Sequence, residues 1–142
     1  MTLDFSTDHG KRTLNELETA KAIWFTTVTP AGVPQPNPVW FVWDADDESV
    51  YTFVQPHSAR IRNLKANPNV SLHFASDPYA SSVTVLTGVA EFVEEPLTLH
   101  DLPIYASKYG EAEWAEAGMT PEEAAKEYSV LLRIRLNKLR GF

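Results

Sequence analysis

Pro34, Pro36 and Pro38 occupy every second position at the start of Val33–Trp43, a segment otherwise written as a β-strand in valine, tryptophan and phenylalanine. Proline has no N–H to give to a ladder, so a strand built this way is confined to a sheet edge or a bulge. Its early part is free to border a site. Just before it, Ala22–Thr29 (AIWFTTVT) is β-branched and aromatic and ends at Pro30-Ala31-Gly32, a turn signal. The two segments are therefore predicted to pair as a hairpin.

Four further segments read as strands. Val50–Gln55 follows an acidic turn, Asp44–Glu48, whose residues lack calcium-loop spacing and read as a solvated loop. Val70–Phe74 alternates cleanly. Ser82–Val93 is long, and its Gly88 suits a bulge or a sharp bend at a barrel corner. In Ser129–Asn137, Val130, Leu132, Ile134 and Leu136 share one face while Arg133, Arg135 and Asn137 share the other. Helices are predicted over Ser6–Ala20, with Ser6, Thr7 or Asp8 as cap, and over Ser58–Asn67, stopped by Pro68. From Pro96 to Tyr128 the period is helical, and Thr120-Pro121-Glu122-Glu123 opens the last helix with a cap, a first-position proline and a capping-box glutamate. Six strands joined mostly by tight turns, with helices at the periphery, predict an α+β chain on an antiparallel barrel, a single domain over 1–142.

Composition removes several kinds of chemistry. The chain has no cysteine, which excludes disulfides, thiolate nucleophiles and iron–sulfur clusters. A formal charge of −7 argues against nucleic acid or an anionic membrane as the main partner, so an anionic ligand has to meet a local basic patch. The stretch Met1–Gly10 has neither the basic start nor the apolar run of a leader, and no apolar run is long enough to span a bilayer, which predicts a cytoplasmic protein. There is no glycine-rich dinucleotide fingerprint, P-loop or nucleophile elbow. His9, His57, His73 and His100 are scattered without metal-ligand spacing.

One stretch, Tyr51–Phe74 (YTFVQPHSARIRNLKANPNVSLHF), combines features that suit a ligand. A strand ends in a turn, Ser58 caps a short helix, and Arg60 and Arg62 stand on its first turn and a half. Free amides at a helix start, a serine hydroxyl and guanidinium groups together make a phosphate site. The same residues equally fit a plain cap followed by a solvated basic face, and physics alone favours neither.

The pattern Ser58-x-Arg60-x-Arg62-Asn63-Leu64-x-x-Asn67-Pro68-x-Val70-x-Leu72 resembles the phosphate-binding helix of the pyridoxamine 5′-phosphate oxidase-like superfamily. Other stretches resemble its actinobacterial deazaflavin-dependent branch: Thr26-Thr27-Val28-x-Pro30-x-Gly32-x-Pro34, Pro38–Asp44, Gly118–Glu122 and Tyr128-Ser129-Val130 through to Phe142. The resemblance covers nearly the whole chain, and the order and spacing of these motifs make it specific. It implies a six-stranded Greek-key split β-barrel, a homodimer with the cofactor at the subunit interface, and an oxidoreductase acting on a small conjugated or quinone-like substrate. The implied cofactor is the deazaflavin F420, with FMN as the alternative. FMN-using relatives carry basic residues in the strand matching Asn37–Val42, and this chain has none there.

By the same resemblance, backbone groups of Asn37, Pro38, Val39 and Trp40 and of Phe53 and Val54 border the ring. Ser58, Arg60, Arg62 and Asn63 take the phosphate end. No metal and no dedicated acid or base is implied. Trp40 is the tryptophan expected beside the ring, and Arg133 and Arg135 either reach the partner's cofactor or are solvated. The rival readings are an FMN-binding oxidase-like protein and a cofactor-binding protein without turnover.

Overall fold

The computed structural model describes residues 3–142; Met1 and Thr2, the start of the stretch read for a leader, lie outside them. Thr7 opens the first helix, α1 (Asp8–Thr19), by accepting a hydrogen bond from the Gly10 amide at 2.8 Å. Leu17 on its inner face is fully buried. Then follow β1 (Ala22–Val28), β2 (Pro34–Trp40), β3 (Val42–Asp44) and β4 (Ser49–Val54). Helix α2 (Ala59–Ala66) leads to β5 (Asn69–His73) and β6 (Thr84–Phe92). A 3₁₀ turn at Leu99–Asp101 precedes α3 (Pro103–Lys108), α4 (Glu111–Glu116) and α5 (Pro121–Glu127), and β7 (Val130–Gly141) ends the chain.

The strands form one antiparallel sheet in the order β2-β1-β5-β6-β7-β4-β3. Its two outer strands, β2 and β3, are consecutive in the chain and separated only by Phe41. The sheet therefore curls until its edges meet at that residue, giving the split barrel that the motifs implied. Seven strands replace the expected six because Val33–Trp43 breaks at Phe41.

Long-range hydrogen bonds account for the break. The Phe41 amide donates to the Tyr109 hydroxyl at 2.8 Å, its carbonyl accepts from Lys108 Nζ at 2.8 Å, and the Trp40 carbonyl accepts from Thr52 Oγ1 at 2.7 Å. Backbone groups that would have continued a ladder are satisfied by side chains instead. β2 pairs with β1 over seven residue pairs, Ala22↔Trp40 to Val28↔Pro34. Prolines tolerated along that whole register place their missing donors on the open side of the edge.

Alternation divides the apolar residues between two cores. Phe25, Phe41, Val50, Leu72, Leu86, Leu132 and Ile134 fill the barrel. Val42, Phe53 and Leu131, from the opposite face of the sheet, pack with Tyr105, Tyr109 and Trp114 of the helical region. The register slips between Thr87 and Gly88, where Gly88 pairs with Leu136 and Thr87 with Lys138, leaving Asn137 as the extra residue of a bulge. At Gly88 the opposing strand comes so near that a Cβ would lie 2.5 Å from the Arg135 carbonyl oxygen. The bulge carries β7 four residues beyond its expected end at Asn137, because one inserted residue restores pairing after the alternation is broken.

Candidate active site

A cavity of about 490 Å³ opens between the seam strands and the helical region. Pro38, Val39 and Trp40 of β2 and Phe53 of β4 form its sheet wall, and Arg60 of α2 also lines it. Tyr105, Trp114, Ala117, Met119 and Tyr128 form the facing wall. Gln55, which also lines the cavity, donates through Nε2 to Glu127 Oε1 at 2.6 Å, tying the chain just after β4 to the end of α5.

The walls are aromatic and mutually braced. Trp40 stacks on Tyr109 with ring centroids 4.5 Å apart and planes 5° from parallel, and Trp114 leans on it at 4.7 Å. Phe53 meets Tyr105 edge-on at 5.2 Å. Side chains held by such contacts have few rotamers open to them, so the walls of the cavity are preformed.

Arg60 is the cationic side chain of this lining. It is half-buried, and burial lowers its pKa, with Tyr128 acting in the opposite direction. The guanidinium nevertheless stays charged throughout the physiological range. Among the described residues no carboxylate comes within ion-pair distance of it. The arginines of β7 differ. Arg133 and Arg135 both bind Glu91, the latter at 3.0 Å, and Arg135 also reaches Asp47 at 3.4 Å. The Tyr51 hydroxyl, with those two arginines, holds Asp47 below the usual carboxylate range. Within this chain, then, Arg133 and Arg135 are neutralised on the outer face of the sheet while Arg60 carries an unmatched charge into a cavity.

The ten residues singled out from the sequence fall into four places. Pro38, Val39, Trp40, Phe53 and Arg60 line the cavity. Asn37 is exposed on β2, and Arg62 is exposed on α2. Ser58 caps α2, its Oγ accepting from the Arg60 amide at 3.2 Å. The side chains of Val54 and Asn63 point inward: Val54 belongs to the barrel core. Asn63 is fully buried and donates to Thr27 Oγ1 at 3.0 Å and Gln35 Oε1 at 2.9 Å, fastening α2 to the β1–β2 hairpin.

Sequence reasoning did not find Gln55, Tyr105, Trp114, Met119 or Tyr128. The available signal was the spacing Tyr105-x-x-x-Tyr109, which puts two aromatics on one helical face. Of the tryptophans, Trp43 and Trp114 are buried, while Trp24 is 38% exposed and stacks on His73. Among the described residues no cluster of histidines and carboxylates could hold a metal, and no helix is long and apolar enough to cross a membrane.

Comparison with known proteins bears on this geometry. The family model described as pyridoxamine 5′-phosphate oxidase matches residues 11–141. Curated proteins give no significant match. Among solved structures, a protein named F420 reductase is 26% identical, with 89% of this chain and 94% of that one covered and a TM-score of 0.67. A conserved hypothetical protein from Mycobacterium tuberculosis is 22% identical over 93% of this chain and 82% of its own, with a TM-score of 0.66. HutZ, the haem storage protein from Vibrio cholerae, is 19% identical over 92% of both chains, with a TM-score of 0.62. The last two share the fold.

Proposed function

The chain belongs to the pyridoxamine 5′-phosphate oxidase family, and from that premise we propose that it is an oxidoreductase that binds a phosphorylated deazaflavin, F420, and reduces a small, flat, conjugated or quinone-like molecule. The observation that carries the reading is Arg60, unmatched by any carboxylate among the described residues, in the lining of an aromatic cavity. A half-buried cation in a chain of net charge −7 is an arrangement that a bound phosphate would complete. Two donors suit such a group, the Arg60 side chain and the Ser58 hydroxyl proton at the start of the same helix, while Arg62 stands on its exposed side.

Residues of this chain would then do three things. Arg60, Arg62 and Ser58 hold the phosphate end. Pro38, Val39, Trp40 and Phe53 give the ring a flat apolar wall, and the helical residues facing them keep water from the reacting faces. A bound deazaflavin supplies hydride chemistry and handles oxygen poorly, which favours a reductase over an oxidase. The preference for F420 over FMN rests on the absence of any cation in Asn37–Val42 and on the likeness to the F420 reductase. None of the four histidines lines the cavity, so no imidazole stands there for a haem iron.

The same reading makes the protein a homodimer with the cofactor between two barrels. Trp24 and Val89 give the outer face of the sheet apolar surface that a second copy would cover. Titrating purified protein with F420 and with FMN tests the proposal. Micromolar binding of F420, tighter than FMN, is expected; the reverse order makes it a flavin protein, and binding of neither overturns the reading.

A further inference from the structure

Tyr105 stands out among the groups of the cavity that phosphate binding leaves unused. Its side chain is 3% exposed, held between Phe53 and Tyr109, whose rings lie 5.2 and 4.8 Å away. Among the described residues its hydroxyl makes no hydrogen bond, yet it is not one of the fully occluded unpartnered atoms, which are Trp43 Nε1 and Asn63 Oδ1. Tyr105 is among the residues that line the cavity. The neighbouring Tyr109 differs: its hydroxyl is spent on the Phe41 and Lys21 backbone at 2.7–2.8 Å.

A buried hydroxyl without a partner is costly, and tyrosines in such positions normally find one. Phenylalanine would make the same ring contacts with Phe53 and Tyr109. The hydroxyl is therefore available to something that enters the cavity. Burial, with Tyr128 beside it, raises the Tyr105 pKa, so at neutral pH the group is a protonated donor. Tyr128 also lines the cavity and is a second hydroxyl on the same side, next to Arg60.

We propose that Tyr105 is a specificity-determining residue that donates a hydrogen bond to an oxygen of the substrate, restricting the flat molecules accepted here to those bearing a carbonyl, quinone or nitro oxygen. Apolar walls select for planarity and are indifferent to polar substituents. A hydroxyl donor in those walls supplies the discrimination, because a molecule without an acceptor leaves it unpaired. A hydrogen bond there also draws electron density toward the oxygen, which makes the attached conjugated system a better hydride acceptor.

The proposal deepens the reductase reading, since it takes this cavity as the substrate site, but its test requires no cofactor. Binding of menadione and of 2-methylnaphthalene, alike in shape and different in oxygen content, is measured on cofactor-free protein for wild type and Tyr105→Phe. The expected result is that the variant binds menadione about tenfold more weakly and 2-methylnaphthalene unchanged. Equal effects on both probes, no effect on either, or failure of the wild type to bind menadione would overturn it. F420 titration of the same variant, expected to match wild type, separates this outcome from failure of the cofactor reading.

Discussion

The Tyr109 hydroxyl accepts a hydrogen bond from the Phe41 amide and lies 2.8 Å from the carbonyl oxygen of that same residue, so one side chain of the helical region serves both backbone groups at the barrel seam. Its ring at the same time stacks on Trp40. The position of the cavity's aromatic wall and the closure of the barrel thus depend on a single residue.

Tyr109→Phe keeps the stacking and removes the hydroxyl. The Phe41 amide, buried at the seam, loses its partner, which should cost about 1–3 kcal/mol. For a chain of this length that is a fall of roughly 4–10 °C in the thermal midpoint. Differential scanning calorimetry checks it; an unchanged midpoint would show that water replaces the hydroxyl without cost.

Lys108 gives a pH dependence. Burial, with the Lys21 ammonium nearby, pushes its pKa down to about 8 from 10.5, although its Nζ contacts the Phe41 carbonyl and lies 3.7 Å from the Phe41 ring centroid. Between those two values the unfolded chain holds a proton that the folded chain has released. Stability from this group therefore rises with pH across the window, the direction expected of a lysine whose folded-state pKa is lowered. Relative to Lys108→Gln, the wild type should gain about 1 kcal/mol between about pH 7.5 and about pH 9.5, after allowance for partial solvent screening. Urea midpoints of the two proteins at both pH values give the difference directly, and a constant difference would contradict the assignment.

Arg60 and Arg62 separate by environment. Arg60→Gln should weaken F420 binding about 10–100-fold, the worth of charge-assisted bonds to phosphate in a half-buried site. Arg62→Gln, at an exposed position, should weaken it less than about threefold. Fluorescence titrations of the two variants measure both, and equal losses would mean that the phosphate rests on the outside of α2.

Gly88→Ala places a Cβ 2.5 Å from the Arg135 carbonyl oxygen and 3.1 Å from Ile134 Cγ2, both on the paired strand. Overpacking of this kind costs about 1–3 kcal/mol. Lys138→Ala, beside the bulge on β7 and exposed, should stay within about 0.5 kcal/mol of wild type. Thermal unfolding of the pair tests whether it is the bulge, rather than the strand as a whole, that requires glycine.

Local signals carried the sequence reading a long way. Thr7, Ser58 and Thr120 cap their helices, Pro68 follows the end of α2, and Gly88 lies at the bulge, each a consequence of backbone geometry within a few residues. The failures occurred where distant residues decide. Val33–Trp43 reads as one strand because nothing nearby reveals that Tyr109 and Lys108, 68 and 67 residues on, take the hydrogen bonds of Phe41. The last strand reads as ending at Asn137 because a bulge inverts the facing of every residue after it. Half of the cavity was invisible for the same reason: Tyr105, Trp114 and Tyr128 follow the helical period of ordinary core residues, and only the fold brings them opposite β2.

The prolines of β2 limit how the molecule meets others. In an antiparallel ladder successive N–H groups point to opposite sides, and with β1 paired along its whole length the outer margin of β2 offers carbonyls but lacks donors at Pro34, Pro36 and Pro38. A foreign strand seeking to lengthen the sheet would find half its bonds refused, which guards the folded protein against edge-to-edge aggregation. A second molecule would have to approach by side-chain contact on the broad surface of the barrel rather than by backbone zippering along this edge.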